Sequence, residues 1–409
     1  MTDRSDIVIV GAGIFGVTAA LELKARGHTV TLLDPGPLPR PQAASTDISK
    51  VIRVEYGSDE PYLTLAEQAR AGWLRWNEVF GDQLYHEVGV TMLTRTPMSP
   101  GGFTYESYQL LLKRGHRPER LTSADLARRF PAWNAAVYVD GYFNPQGGYA
   151  ESGRVVEALL QQAARENISV HTGQTVGELI EDTGRVSGVR THEGERFEAA
   201  HVVIAAGAWT PLLAPDLASM MHSVGQPVFH LKPADPGLFT PPNFAVFSAD
   251  VSQTGWYGFP VHPTAGVIKL AHHGVGRPVH PADGERVVTP AQVQDLRSFL
   301  AETFPALADA PLVGSHLCLY CDTLDGHFWV DRDPARAGLT VAAGGSGHAF
   351  KFGPVLGELV ADAVEGNPNP HLDRFGWRSL NAATVAQEAT RYRPAGWLQA
   401  GDSRLEIGD

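Results

Sequence analysis

Cysteine is the scarcest informative residue in this chain: there are two in 409 residues. So few exclude a disulfide framework of the kind that staples small secreted domains. Both fall in one short stretch, Cys318-Leu-Tyr-Cys321. A four-ligand zinc site needs a second such pair or two spaced histidines, and none is visible, so no metal is expected. A thioredoxin-like pair sits early, at a helix start after a strand, whereas this one lies three-quarters along the chain. A third reading, one sulfur tethering a cofactor, stays open at this point. Long apolar runs are also missing: none approaches the ~18 residues of a membrane span. No signal-type segment precedes the first strand, expected near Asp6, so a soluble, cytoplasmic protein without a membrane partner is expected. Basic excess is absent too. A net charge of −12 argues against nucleic acid as a partner, because phosphate binding needs a basic surface. An anionic small molecule would have to meet positive charge inside a pocket.

Glycine, by contrast, is plentiful and placed. Asp6-Ile-Val-Ile-Val10 reads as a strand buried on both faces, and Gly11-Ala-Gly13-Ile-Phe-Gly16 follows it directly. Ile14, Val17, Ala20, Leu21 and Lys24 then trace one side of a helix ending near Gly27, and Thr29–Leu33 is a second strand closed by Asp34. This is a dinucleotide-binding fingerprint in its required context. Gly11 makes the tight turn, Gly13 lets backbone approach a pyrophosphate, Gly16 allows close helix–strand packing, and Asp34 faces the ribose hydroxyls. The helix N-terminus, from Ile14, adds free N–H groups.

A nicotinamide enzyme would continue with similar strand–helix repeats. Here residues 35–60 turn polar and proline-rich, a helix with Trp73 and Trp76 covers Pro61–Phe80, and α/β signals return at 155–207 and after Leu339. The helix from Glu151 leads into the strand Ile168–Thr172, and a later strand runs into Ala205-Ala-Gly207, either beneath a cofactor or simply packed in the sheet. The organisation expected is α/β: a discontinuous Rossmann-type nucleotide domain of residues 1–88, 150–220 and 327–409, with an antiparallel β-sheet substrate domain of residues 89–149 and 221–326 interleaved through it. The tail after Leu380 is weakly patterned and expected to pack on the surface. Near the C-terminus, Leu339–Ala343 enters a second glycine-rich turn, Gly344-Gly-Ser-Gly347-His-Ala-Phe-Lys351, and a proline-initiated helix whose buried stripe is Val355, Leu356, Leu359, Val360 and Ala363. Two such turns are hard to explain with NAD alone. FAD uses both, its pyrophosphate at the first and its ring at the second, where a helix N-terminus steadies charge on the reduced flavin.

Several further segments complete a pattern: Ser45-Thr-Asp-Ile-Ser49-Lys50-Val-Ile-Arg53-x-x-Tyr56-Gly57, Tyr257-Gly-Phe-Pro260, Lys269-Leu-x-x-His273, Cys318-x-Tyr320-x-x-Thr-x-Asp325-x-x-Phe328, and Gly344-x-Ser-Gly347-His-x-Phe-Lys351. From about Asp6 to about Arg378 the chain resembles the monomeric sarcosine oxidase family of FAD-dependent amine oxidases. That group includes fructosyl amino acid oxidases (amadoriases) and the pipecolate and N-methyltryptophan oxidases. The resemblance implies a p-hydroxybenzoate hydroxylase-like two-domain fold.

Carried over by position, the resemblance implies that Cys318 holds FAD covalently through its 8α-methyl and that Lys269 promotes reaction with O₂. Arg53 and Lys351 are implied to hold the substrate carboxylate, and Tyr257, His273 and Tyr320 to line the pocket. Ser45, Ser49, Gly344 and Gly347 join the cofactor set. Where sarcosine oxidases carry an arginine over the flavin this chain has Lys50, which is amadoriase-like, as is Phe375-Gly-Trp-Arg378, whose Arg378 would add a carboxylate contact. Cys321 is expected to pack. The activity implied is oxidation of a secondary amine in an N-substituted amino acid, sarcosine-like or fructosyl. Hydride goes to flavin N5, the imine hydrolyses, and O₂ becomes hydrogen peroxide. A monomer is favoured. Rival readings are a same-fold dehydrogenase with another electron acceptor, a pipecolate-type or biosynthetic amine oxidase, a non-catalytic flavoprotein, and an NAD-linked dehydrogenase.

Overall fold

The computed structural model describes residues 3–283, 286–380 and 391–393. The expectation for the tail after Leu380 therefore falls outside the described residues, apart from Arg391, Tyr392 and Arg393. Among the described residues no helix is long and apolar enough to cross a membrane.

The apolar run that opens the chain becomes strand Asp3–Val10, in the middle of an eight-stranded sheet. It pairs in parallel with Val30–Asp34 on one side and Arg196–Ile204 on the other. Ser169–Thr172 extends the parallel set beyond Val30–Asp34, and Leu339–Ala343 beyond Arg196–Ile204. Five parallel strands with helices against them account for the continuous burial of Ile7 to Val10, since neither face meets water. Helix Ile14–Ala25 follows the first strand, as the glycine pattern predicts. Its buried residues differ from the expected stripe: Ala19 and Leu23 are buried, whereas Leu21 and Lys24 are only half-buried. The helix is covered from several sides, by the sheet and by helices Ser152–Arg165 and Gly353–Glu365, so a single-sided stripe does not describe it.

A second, nine-stranded sheet collects strands from 90–144 and from 221–323. It is antiparallel as expected, with one exception. Val246–Ala249 runs parallel to Val90–Thr94, and this pair stitches the two segments together. Its long central pair is Met221–Leu231 against Leu312–Thr323, in register from Met221↔Thr323 to His230↔Gly314. A small three-stranded sheet places Lys50–Ile52 beside Gly148–Ala150. That pairing brings the loop from Ser45 to Lys50 between the two large sheets, beside a deep cavity.

Candidate functional site

The cavity has a volume of about 630 Å³, within the range of sites that enclose a cofactor. One end is formed by the first glycine turn. Gly11 has φ +105°, a conformation that favours glycine, and a Cβ there would lie 2.5 Å from the Ala205 carbonyl oxygen. A Cβ on Gly16 would lie 1.8 Å from the Gly11 oxygen, so the helix can seat against the strand only without a side chain. Gly13 leaves the helix start bare, and Ser45, remote in sequence, accepts the Ile14 N–H at 3.0 Å. Asp34 is buried at the end of its strand. Its two oxygens accept the Ala12 and Gly36 N–H groups at 3.0 and 3.1 Å, which fixes the carboxylate while leaving further lone pairs available. Ala205–Ala208 and Gly344–Lys351 complete the lining. A cavity lined by bare backbone at one glycine turn, an oriented acid beside it and a second glycine turn fits FAD.

The cysteine pair separates as the strand dictates. Cys318 and Cys321 lie three residues apart in strand Leu312–Thr323, so they face opposite sides and stand about 10 Å apart, beyond the reach of a disulfide. Cys321 packs 3.8 Å from the Met221 sulfur in an apolar cluster with Trp329 and Ala343, and burial pushes its thiol up to about 12. Cys318 shares its face with Tyr320, and its Sγ lies 3.9 Å from Lys50 Nζ. Lys50, Tyr257 and Tyr320 line the cavity, with the two hydroxyls 3.5 Å apart.

Behind this wall sits a cluster the sequence reading missed, centred on Asp47. Lys269 is 1% exposed and lies in strand Ile268–His272. Its Nζ is 2.6 Å from Asp47 Oδ2 and donates to the Ser49 carbonyl at 2.5 Å. Burial lowers the Lys269 pKa to about 8. Asp47 opposes that fall and Lys50 adds to it. For Asp47, burial works upward, but Lys269, His230 and Lys50 outweigh it and hold the carboxyl well below its ordinary range. Lys50 Nζ approaches Asp47 Oδ2 at 3.8 Å, and burial is again outweighed, by Cys318 and Asp47, so its pKa is raised. One sequence signal was present: an acid three residues before a lysine, Asp47-Ile-Ser-Lys50.

The expected carboxylate-binding residues do not all converge. Lys351 is buried on the cavity wall, donating to the Tyr56 hydroxyl at 3.0 Å and the His348 carbonyl at 2.8 Å. Arg53 lies against Tyr56 and Phe103, donates to the Glu55 carbonyl and does not line the cavity. His273 is buried beside Tyr257 and Tyr320, one layer back. Arg378 is not brought to the site. It forms a two-pronged pair with Asp325 at 2.7 and 2.9 Å and covers Trp329. A second residue the sequence did not flag is Arg391, whose guanidinium reaches Asp322 at 3.0 Å and the Ser346 carbonyl at 3.1 Å, bracing the second glycine turn from behind.

Comparison with known proteins agrees with this geometry. The family profile described as FAD dependent oxidoreductase matches residues 6–363. A monomeric sarcosine oxidase from Streptomyces avermitilis is 30% identical over 394 residues, covering 94% of this chain and 100% of that protein. An L-saccharopine oxidase from Schizosaccharomyces pombe is 27% identical, over 92% of this chain and 94% of the relative. Among solved structures, the deglycating fructosamine oxidase amadoriase II from Aspergillus fumigatus in complex with FSA superposes with a TM-score of 0.78. It is 26% identical and covers 92% of this chain and 90% of its own.

Proposed function

The chain belongs to the FAD dependent oxidoreductase family, and from that premise we propose that it is an oxidase of the secondary amine in N-substituted amino acids, with O₂ as acceptor and hydrogen peroxide as product. The observation that carries this reading is the buried Lys269–Asp47 pair beside Lys50, which lines the same cavity as Tyr257, Tyr320 and Lys351. When bound, FAD supplies the hydride acceptor and the route of electrons to O₂. The chain's own residues do the rest. Lys351, buried and hydrogen-bonded in place, offers a fixed cation to a substrate carboxylate. Lys269 provides a desolvated cation where oxygen gains charge, and in a dry site such charge acts strongly. With its pKa near 8 it carries that charge at neutral pH and can also give up a proton. Tyr257 and Tyr320 keep their protons, burial holding both above the ordinary phenol value, so they orient substrate as neutral donors. Cys318, whose Sγ lies 3.9 Å from Lys50 Nζ just outside the cavity lining, is the proposed covalent tether.

The named relatives act on sarcosine, saccharopine and fructosyl amines, which supports an N-substituted amino acid as the substrate class. Peroxide release from a panel of N-methyl, fructosyl, N-carboxyalkyl and cyclic imino acids tests the reading. At least one should turn over, and silence across the whole panel would remove the substrate class.

A further inference from the structure

His316 and His230 lie on the same face of the nine-stranded sheet as Cys318 and Lys269. His316 precedes Cys318 by two positions in strand Leu312–Thr323, and His230 is paired directly with Lys269. Both histidines point at Asp47. His230 Nε2 faces Asp47 Oδ1 at 3.5 Å, is shut off from solvent and has no hydrogen-bond partner among the described residues. His316 Nε2 lies 3.8 Å from Asp47 Oδ2, and the two rings are 5.9 Å apart. The carboxylate is closed in, with 2% of its side chain exposed, whereas the His316 side chain is 41% exposed. A line of titratable groups thus runs from solvent at His316, through Asp47 with His230 beside it, to Lys269. The other groups facing it are Lys50 and Cys318. On its other side, Lys269 Nζ lies 5.0 Å from the ring of Phe259, which lines the cavity.

Reduction of O₂ to hydrogen peroxide consumes two electrons and two protons. The hydride removed from the carbon beside the amine nitrogen carries both electrons and one proton. The second proton must come from the protein, and the amine's own N–H proton leaves with the iminium when it hydrolyses. On the reading of the enzyme as an oxidase, we propose that His316 and His230 form the proton entry to the Asp47–Lys269 pair, delivering from bulk solvent the proton that O₂ reduction consumes. Lys269 gives its proton to the reduced oxygen, Asp47 holds the lysine in place, and the imidazoles reload it. Separations of 3.5 and 3.8 Å close to hydrogen bonds by a small side-chain rotation or through one water. Burial keeps the His316 pKa down at about 4, so the ring is neutral at working pH and relays by accepting on one nitrogen and donating from the other.

The test uses the holoenzyme, reduced with dithionite and mixed with oxygenated buffer, in the wild type, His316→Gln and His230→Gln. At about pH 8.5, where solvent protons are scarce, reoxidation in His316→Gln should be about tenfold or more slower relative to its anaerobic reduction by substrate. Added imidazole should restore it, and the solvent deuterium effect on reoxidation should rise. A readout independent of turnover is the proton NMR titration of the two imidazoles in the oxidised protein. The His316 midpoint should change in Asp47→Asn. Wild-type reoxidation matched by His316→Gln at every pH, or a His316 midpoint indifferent to Asp47→Asn, would overturn the path while leaving the oxidase reading intact. A reduced wild type that does not react with O₂ would overturn both.

Discussion

Replacing Asp47 by Asn removes the only carboxylate within 4 Å of Lys269 among the described residues while leaving its shape in place. At 2.6 Å and an effective dielectric of about 20, the pair's gross attraction is about 6 kcal/mol. Desolvation offsets much of this, but unpairing one partner of a buried ion pair still costs about 3–5 kcal/mol, because the other charge is left without compensation. Lys269 can escape that cost by losing its proton. About 3 kcal/mol acting on the charged form would carry its pKa from about 8 to about 6 or below. The sign is definite: burial already depresses this lysine, and Asp47 is the group that holds it up. At about pH 7.5 the cationic fraction would fall from roughly three-quarters to a few per cent. Reoxidation of the reduced flavin, followed by stopped-flow absorbance, should therefore lose more than about tenfold at that pH and recover as the pH is lowered through 6. In the wild type the same rate should fall as pH rises through about 8. A variant whose profile keeps the wild-type midpoint would refute the assignment of Asp47 as the counter-ion that sets Lys269.

Four other substitutions probe the site. If Cys318 is the tether, acid-precipitated Cys318→Ala protein should turn colourless while Cys321→Ala stays yellow, since Cys321 lies on the opposite strand face; a colourless wild type removes the tether. In Gly16→Ala the added carbon would stand 1.8 Å from the Gly11 oxygen, so flavin content should drop and the urea midpoint should fall by about 1–3 kcal/mol of stability, whereas full flavin occupancy would contradict the cradle. Lys351→Met should raise KM for an amino acid substrate by about 10- to 100-fold, from a lost charged hydrogen bond of about 1.5–3 kcal/mol. The corresponding amine without its carboxyl group should show no such difference, and equal effects on both would place Lys351 outside carboxylate binding.

The glycine turns were legible because their geometry leaves one residue type. A Cβ at Gly11 or Gly16 collides with backbone, so the pattern in sequence and the close approach in space are the same fact. The strand at Asp6–Val10 was equally readable from its unbroken apolar run. The stripe on helix Ile14–Ala25 was not, because burial from several sides depends on partners more than 300 residues away, such as helix Gly353–Glu365. The same limit hid the Asp47 cluster. Its members come from a loop and four strands, at 47, 50, 230, 269 and 316, and only the packing of those strands makes them neighbours. Arg378 shows the converse. Its segment resembles the amadoriase pattern, but here Asp325 takes the guanidinium, and an ion pair of that kind cannot be read from one position alone.

The most direct measurement begins with purified protein under anaerobic conditions. An N-substituted amino acid is added while the flavin's visible absorption band is followed, and air is then admitted. The account predicts bleaching by substrate, full return of the band with O₂, and one hydrogen peroxide per flavin reoxidised. A flavin that no member of the substrate panel bleaches, or one that stays bleached in air, would contradict it.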